Sequence, residues 1–171
     1  MYKIPVFIPE AVFVFFILLP LFLVIGGYYP DENIGTLLSM IGFVTGVFWM
    51  AGLADYADKA KGKKYPDRLF YLLLIIMTVT ALNEIYYNFT EQSLIYNARF
   101  TYPVVSVLLD VTAAVILTIK IKKILTQRSV WFLFLEILFY GFGVATLTPE
   151  IKNHYKINKK IFSEEDDTVL K

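Results

Sequence analysis

The stretch from residue 101 to residue 128, TYPVVSVLLDVTAAVILTIKIKKILTQR, begins with an apolar run and ends in a basic cluster. The run over 101–119 contains no Lys or Arg and approaches the roughly 20 apolar residues that a helix needs to cross a membrane. Four basic residues follow it closely: Lys120, Lys122, Lys123 and Arg128. This pattern predicts a transmembrane helix whose last turn reaches the cytoplasm.

Four further apolar runs of similar length accompany this one, at about residues 7–28, 35–54, 69–89 and 129–148, and none contains Lys or Arg. Hydrophobic residues make up 57% of the 171-residue chain and charged residues 18%, which is typical of a membrane protein. The sequence therefore predicts an all-α integral membrane protein. We expect a compact bundle of about five transmembrane helices over residues 1–148 and a polar, flexible C-terminal tail over 149–171.

Basic residues also predict the orientation of this bundle. Loops 55–68 and 120–128 are rich in Lys and Arg, whereas the segment that connects the third and fourth runs has Arg99 as its one basic residue. The positive-inside rule therefore predicts that the N-terminus and both basic loops are cytoplasmic. Five crossings then place the C-terminal tail outside. This placement conflicts with the positive-inside rule, because the tail carries several lysines. We expect an external tail; the alternative is that one span is misread.

Three acidic residues lie inside the predicted spans: Glu84, Asp110 and Glu136. An acidic side chain at the centre of a membrane helix costs about 2.5–3.5 kcal/mol, so it usually faces the protein interior or water. Because no span contains a basic residue, we expect no basic partner for these acids within the spans. They are then neutral hydrogen-bonding groups, steps in a proton or cation path, or a docking site for a Lys or Arg of another chain.

Neutral polar residues accompany each acid at helical spacing, which predicts that all three acids point into the bundle at successive depths. The full set of ion-path candidates is Glu84, Asp110, Glu136, Asn83, Thr80, Tyr87, Ser106 and Tyr140. In the second run, Ser39, Gly42 and Gly46 share one helix face and predict close helix packing. We expect this seam to lie within the chain; the alternative is a homodimer interface.

Several charged residues near the predicted cytoplasmic surface complete the set of candidates. Four lysines of the first basic loop are candidates for contact with anionic lipid headgroups: Lys59, Lys61, Lys63 and Lys64. Glu10 and Asp55 lie at the ends of predicted spans, where we expect them to be solvated. His154 belongs to the predicted tail, and we expect it to be exposed.

The composition excludes several kinds of chemistry. The chain has no Cys and a single His, which excludes disulfides, thiol nucleophiles and metal sites made of two His or of Cys within this chain. We therefore expect no metal and no cofactor. The formal net charge of +1 gives no basic field for nucleic acid. Phosphate-binding, zinc-protease and serine-hydrolase motifs are also absent from the sequence.

These observations favour a non-enzymatic protein, an accessory or structural subunit of a larger membrane complex. Its expected partners are membrane lipids together with other membrane subunits or further copies of itself. The alternative is a small proton- or cation-coupled transporter or channel that uses the intramembrane carboxylates. A third possibility is an intramembrane lipid-modifying enzyme, which the lack of basic residues and His within the spans disfavours.

Overall fold

The computed structural model describes residues 8, 10–25, 32–63, 67–90 and 101–158. Six α-helices lie in these ranges: α1 (Glu10–Ile25), α2 (Glu32–Lys59), α3 (Arg68–Thr90), α4 (Thr101–Lys122), α5 (Val130–Leu138) and α6 (Tyr140–Ile157). The described ranges contain no β-strand. The predicted all-α bundle is therefore confirmed as a fold class, and helices α1 to α4 coincide closely with the first four predicted apolar runs.

Helix α2 is central to the bundle, since it contacts α1, α3, α4 and α6. Large side chains that are fully buried concentrate in its second half and in the second half of α4, among them Trp49, Tyr56 and Leu117. Phe70 in the first turn of α3 joins them. The well-packed core therefore lies toward the end of the bundle that carries the basic loops.

The predicted fifth span over 129–148 is not a single helix. Helix α5 ends at Leu138, Phe139 has a non-helical backbone with φ −97° and ψ 66°, and α6 begins at the next residue. Arg128, just before α5, forms salt bridges with both Glu136 in α5 and Glu150 in α6. In a continuous straight helix Arg128 and Glu150 would lie about 33 Å apart. Helices α5 and α6 therefore form an antiparallel hairpin, and the prediction of one continuous fifth span is wrong.

Two hydrogen bonds give the direction of α6 relative to α2. The Trp49 indole Nε1 donates to the Thr148 hydroxyl oxygen at 3.1 Å, and the Tyr56 hydroxyl lies 2.6 Å from His154 Nδ1. Later residues of α2 thus contact later residues of α6, so the two helices run in the same direction. Helix α6 consequently ends at the same end of the bundle as the basic loop that follows α2.

Helix α6 also continues beyond the predicted boundary at residue 148. It extends to Ile157, and within the predicted tail Ile151 is fully buried. Val144, Leu147, Thr148 and Ile151 recur at helical spacing and are all buried, which explains why the helix continues. The first part of the predicted tail is therefore an ordered part of the bundle, and residues 159–171 lie outside the described ranges.

Membrane-spanning capacity can be assessed from length and composition. Among the described residues, Met40–Lys59 and Val104–Lys122 are long and apolar enough to cross a membrane, and Arg68–Asn83 is a shorter apolar stretch. Large apolar side chains are exposed along the outer faces of α3 and α4, for example Ile75 at 58% and Leu108 at 60%. Extended apolar surfaces of this kind are typical of proteins that contact lipid or other membrane proteins.

Candidate functional site

Charged side chains gather at the end of the bundle where α2, α4 and α6 finish. In the first cluster the Lys120 ammonium donates to both carboxylate oxygens of Asp58, at 2.9 and 2.8 Å, and lies 3.0 Å from Asp67 Oδ2. The Asp58 side chain is 2% exposed and that of Lys120 is 9% exposed. Because Lys120 belongs to α4, this cluster joins α4 to the last turn of α2 and to the residue before α3.

Asp67 has a second role as the residue that precedes α3. Its Oδ1 accepts hydrogen bonds from the backbone N–H groups of Leu69 and Phe70, at 3.1 and 3.4 Å, which is the pattern of a helix N-cap. Its own N–H donates to Asp58 Oδ2 at 3.2 Å. The hydrogen bond from Lys120 is the main reason that the pKa of Asp67 lies below its usual value. An ionised Asp67 therefore links the start of α3 to the ion pair.

The lysines predicted to contact lipid headgroups are partly engaged within the protein. Lys61 Nζ donates to the backbone carbonyl of Lys120 at 3.2 Å, and its partial burial lowers its pKa. Lys63 Nζ lies 3.4 Å from Asp58 Oδ1, although the Lys63 side chain remains 55% exposed. Lys59 is the last residue of α2, and Lys64 lies outside the described residues. Headgroup contact by this loop stays a prediction.

Arg128 forms the second charged cluster. Its Nη1 donates to Glu136 Oε1 at 2.8 Å, its Nε donates to the Glu150 carboxylate oxygens at 2.9 and 3.1 Å, and its Nη2 also binds Glu150. The hydrogen bonds from Arg128 to Glu150 are the main cause of the raised pKa of Arg128. This guanidinium therefore joins the base of α5 to α6.

The Arg128 cluster corrects the expectation that Glu136 lacks a basic partner in its own chain. Arg128 lies outside the predicted span, two residues before α5 begins. Its long side chain extends along the first turns of α5 to Glu136. The Glu136 Oε2 atom is buried and has no hydrogen-bond partner in the described structure. Glu136 is consequently held by one of its two oxygens.

His154 and Asp55 also differ from the prediction that they are solvated. His154 lies in α6, half-buried, with its Nδ1 hydrogen-bonded to the fully buried Tyr56. Asp55 is 8% exposed in the second half of α2. The side chain of Glu10 lies outside the described residues. Tertiary packing of α6 on α2 buries positions that the sequence pattern placed at a membrane surface or in a tail.

The environment of His154 predicts a pH-dependent stability. Burial lowers its pKa below the usual value of 6.5, so the unfolded chain binds a proton more readily than the folded chain does. Its stabilising contribution is therefore present above about pH 6.5 and decreases as the pH falls through the lowered pKa. We expect the melting temperature of the wild-type protein to fall between pH 7 and pH 5.5. In His154→Asn that fall should be smaller; an identical pH profile in both proteins would contradict the assignment.

Thr80 and Asp110, on α3 and α4, lie apart from Glu136, which belongs to α5 and pairs with Arg128. Helices α3 and α4 are antiparallel, with Lys120 Nζ 5.9 Å from the centre of the Phe70 ring, which puts Thr80 near the level of Asp110. Asp110 is half-buried, and no hydrogen bond or ion pair joins it to Glu136 in the described part of the chain. Asp110 and Glu136 are therefore not in direct contact, and the path through the three acids stays a prediction.

The other candidates occupy different environments. Asn83 is buried, Ser106 and Tyr87 are half-buried, and Thr80 donates its hydroxyl to the Ile76 carbonyl of its own helix. The side chains of Glu84 and Tyr140 lie outside the described residues. Of the packing seam, Gly42 and Gly46 are buried within the single chain, whereas the side chain of Ser39 is not described.

A cavity of about 530 Å³ opens beside the Arg128 cluster, between the α4–α5 connection and α6. Its polar wall includes Gln127, Arg128, Glu150, Asn153 and His154, and its apolar wall includes Ile124 and Ile157. Reasoning from the sequence missed this cavity because it exists only when α6 folds back on α5. Two features of the sequence indicate this chain reversal: Gly141 and Gly143 inside the fifth apolar run, and the lysines that follow the run.

The chemistry available at this end of the bundle is ion pairing and hydrogen bonding. Within the described ranges, no group of three or more His, Asp and Glu side chains is placed to hold a metal ion. No protein-family model, curated protein or solved structure matches this chain. Its function is therefore inferred from these residues and their geometry.

Proposed function

We propose that this protein is a multi-pass membrane protein that acts as an accessory or structural subunit of a larger membrane assembly. The observation that supports this proposal most directly is the internal pairing of charges: Asp58 with Lys120, which are buried, and Glu136 with Arg128, which are partly buried. A carboxylate that transfers protons or binds substrate has to be available to its reaction partner. These carboxylates instead hold helices and loops together, which suits a protein that binds other proteins.

The proposed topology has four crossings, α1 to α4, and a hairpin, α5 and α6, that enters and leaves the membrane on the cytoplasmic side. Helix α5 has nine residues, a length of about 13 Å, which is less than half of the roughly 30 Å hydrocarbon core. In this proposed topology the tail is cytoplasmic, in contrast to the external tail expected from five crossings. It gathers both basic loops and the lysines of α6 on one side, in agreement with the positive-inside rule.

The absence of cysteine makes this topology directly testable with single-cysteine variants. Lys123→Cys and Asn158→Cys are expected to react with a membrane-impermeant maleimide only after the cytoplasmic side is opened. Thr90→Cys, at the other end of α3, is expected to react in intact cells. The wild-type protein is the unlabelled control. Labelling of Asn158→Cys in intact cells, together with Thr90→Cys, would restore the external tail and exclude the half-crossing hairpin.

The subunit proposal is tested by gentle extraction of the protein at its endogenous level. Blue-native electrophoresis and mass spectrometry of the co-migrating proteins are expected to reveal a stoichiometric membrane partner. A matched extraction in a harsher detergent should separate that partner from the chain. Migration of the chain alone under the gentle conditions would contradict the subunit proposal.

A second candidate function, proton or cation transport, is favoured by one residue. Asp110 lies half-buried in an apolar helix and makes no hydrogen bond or ion pair with another described residue. Its carboxyl group is therefore available to a proton or cation. In liposomes that contain the purified protein, this function predicts a pH-dependent flux that Asp110→Asn abolishes. Absence of flux in the wild-type protein would exclude it.

A further inference from the structure

We propose that the cavity beside Arg128 binds the headgroup of a zwitterionic phospholipid that carries a primary amine. This inference rests on the membrane embedding proposed above, but it is independent of any protein partner. The cavity lies between the α4–α5 connection and the last turns of α6. In the proposed topology this is the level of the cytoplasmic headgroups.

The first reason for this ligand class is the pair of opposite charges in the cavity wall. Arg128 and Glu150 both line the cavity, and their side chains are 30% and 38% exposed. A guanidinium carries five N–H donors, and the Nη atoms of Arg128 each keep one N–H beyond those that bind the two glutamates. These N–H groups can donate to a phosphate oxygen. The exposed Glu150 oxygens retain lone pairs that can accept an ammonium group.

The balance of charge favours a zwitterion over an anion. Arg128 is shared by two carboxylates, Glu136 and Glu150. The Lys122 ammonium donates to the backbone carbonyls of Thr126 and Arg128, so two cations balance these two carboxylates. Because the cluster has no net positive charge, an anionic headgroup gains little from it, whereas a zwitterion brings a partner for each sign of charge. A primary ammonium can also donate hydrogen bonds to Glu150, whereas a quaternary ammonium has no N–H to donate.

The remaining lining points to a lipid rather than a soluble zwitterion. Ile124 and Ile157 form an apolar part of the wall, beside the neutral polar groups of Gln127 and Asn153. A headgroup attached to glycerol and acyl chains presents both kinds of surface to the cavity. A free aminophosphate presents only the polar one, and it gains nothing from the apolar wall.

The test measures lipid binding to the delipidated full-length protein by native mass spectrometry in detergent. The probes are phosphatidylethanolamine, phosphatidylcholine and phosphatidylglycerol with identical acyl chains. We expect phosphatidylethanolamine to bind about tenfold more tightly than the other two, the size of one charge-assisted hydrogen bond. Soluble glycerophosphoethanolamine is expected to compete weakly. Equal binding of the three lipids, or equally tight binding of the soluble headgroup, would overturn the proposal.

Two sets of variants locate the binding at this cavity. Glu150→Gln removes the negative charge and is expected to change the preference from phosphatidylethanolamine to phosphatidylglycerol. Glu32→Gln, the same substitution at the start of α2 and at the opposite end of the bundle from the cavity, should keep the wild-type order. If Glu150→Gln does not fold, Asn153→Leu leaves the ion pair intact and should weaken phosphatidylethanolamine binding severalfold. A wild-type order of lipids in folded Glu150→Gln, or undiminished binding in Asn153→Leu, would contradict the assignment.

Discussion

Lys120→Ala is expected to lower the free energy of unfolding by about 3–5 kcal/mol, the usual effect of removing one partner from a buried ion pair. The substitution leaves the Asp58 carboxylate, 2% exposed, without its main cation. Lys63 lies 3.4 Å from the same carboxylate, but its side chain is largely exposed and compensates only in part. Denaturant unfolding of the purified protein in detergent, followed by circular dichroism, measures this loss.

Lys123→Ala is the matched control for Lys120→Ala. Lys123 follows Lys120 by three residues and is exposed, so its removal should change the free energy of unfolding by at most about 0.5 kcal/mol. The double variant Lys120→Met with Asp58→Leu replaces the pair by apolar side chains and should recover part of the lost stability. Similar losses for Lys120→Ala and Lys123→Ala would show that the ion pair does not stabilise the fold.

Gly143→Ala is expected to destabilise the protein by about 3 kcal/mol, near the upper end of the usual effect of overpacking. A Cβ atom at this position would overlap the Glu136 carbonyl oxygen and would lie 2.8 Å from Cη2 of the buried Trp49. The first of these atoms belongs to the backbone of α5, so relief requires α5 and α6 to separate. That movement would strain the salt bridges of Arg128 at the base of the hairpin.

Thermal unfolding in detergent measures the effect of Gly143→Ala. Ala145→Val adds bulk to an exposed position of the same helix and should leave the melting temperature nearly unchanged. Trp49→Phe removes the Cη2 atom but not the overlap with Glu136, and it destabilises the protein by itself because it removes buried volume and the hydrogen bond to Thr148. In a Trp49→Phe background, Gly143→Ala should therefore lower the melting temperature by less than it does in the wild-type protein, but still measurably. A melting temperature of Gly143→Ala equal to that of Ala145→Val would exclude the close hairpin.

Helix positions could be predicted because apolar runs and their flanking residues are local features of a sequence. Helix α3 begins at Arg68 and the predicted run at residue 69; helix α4 begins at Thr101, as predicted. The prediction of a single helix over the fifth run was wrong because the run is apolar on both sides of Phe139. An uninterrupted apolar run fits one long helix and two short antiparallel helices equally well.

The candidate site was predicted only in part, because ion pairs join residues that are distant in sequence. Glu136 and Asp110 were recognised as acids in apolar runs, but the partner of Glu136 depends on how α5 follows the α4–α5 connection. Lys120 and Asp58 were assigned to basic loops, where nothing local indicates that they bind each other. The pairing of His154 with Tyr56 likewise requires α6 to return beside α2.

By itself, the sequence determined that this protein is an all-α bundle with an apolar surface, since helix formation and hydrophobicity follow from neighbouring residues. Only the tertiary structure decided that the chain reverses at Phe139 and which end of the bundle receives α6. The physical reason is that the reversal depends on contacts between distant segments. Gly143 packs against Trp49, and Arg128 binds glutamates from both α5 and α6.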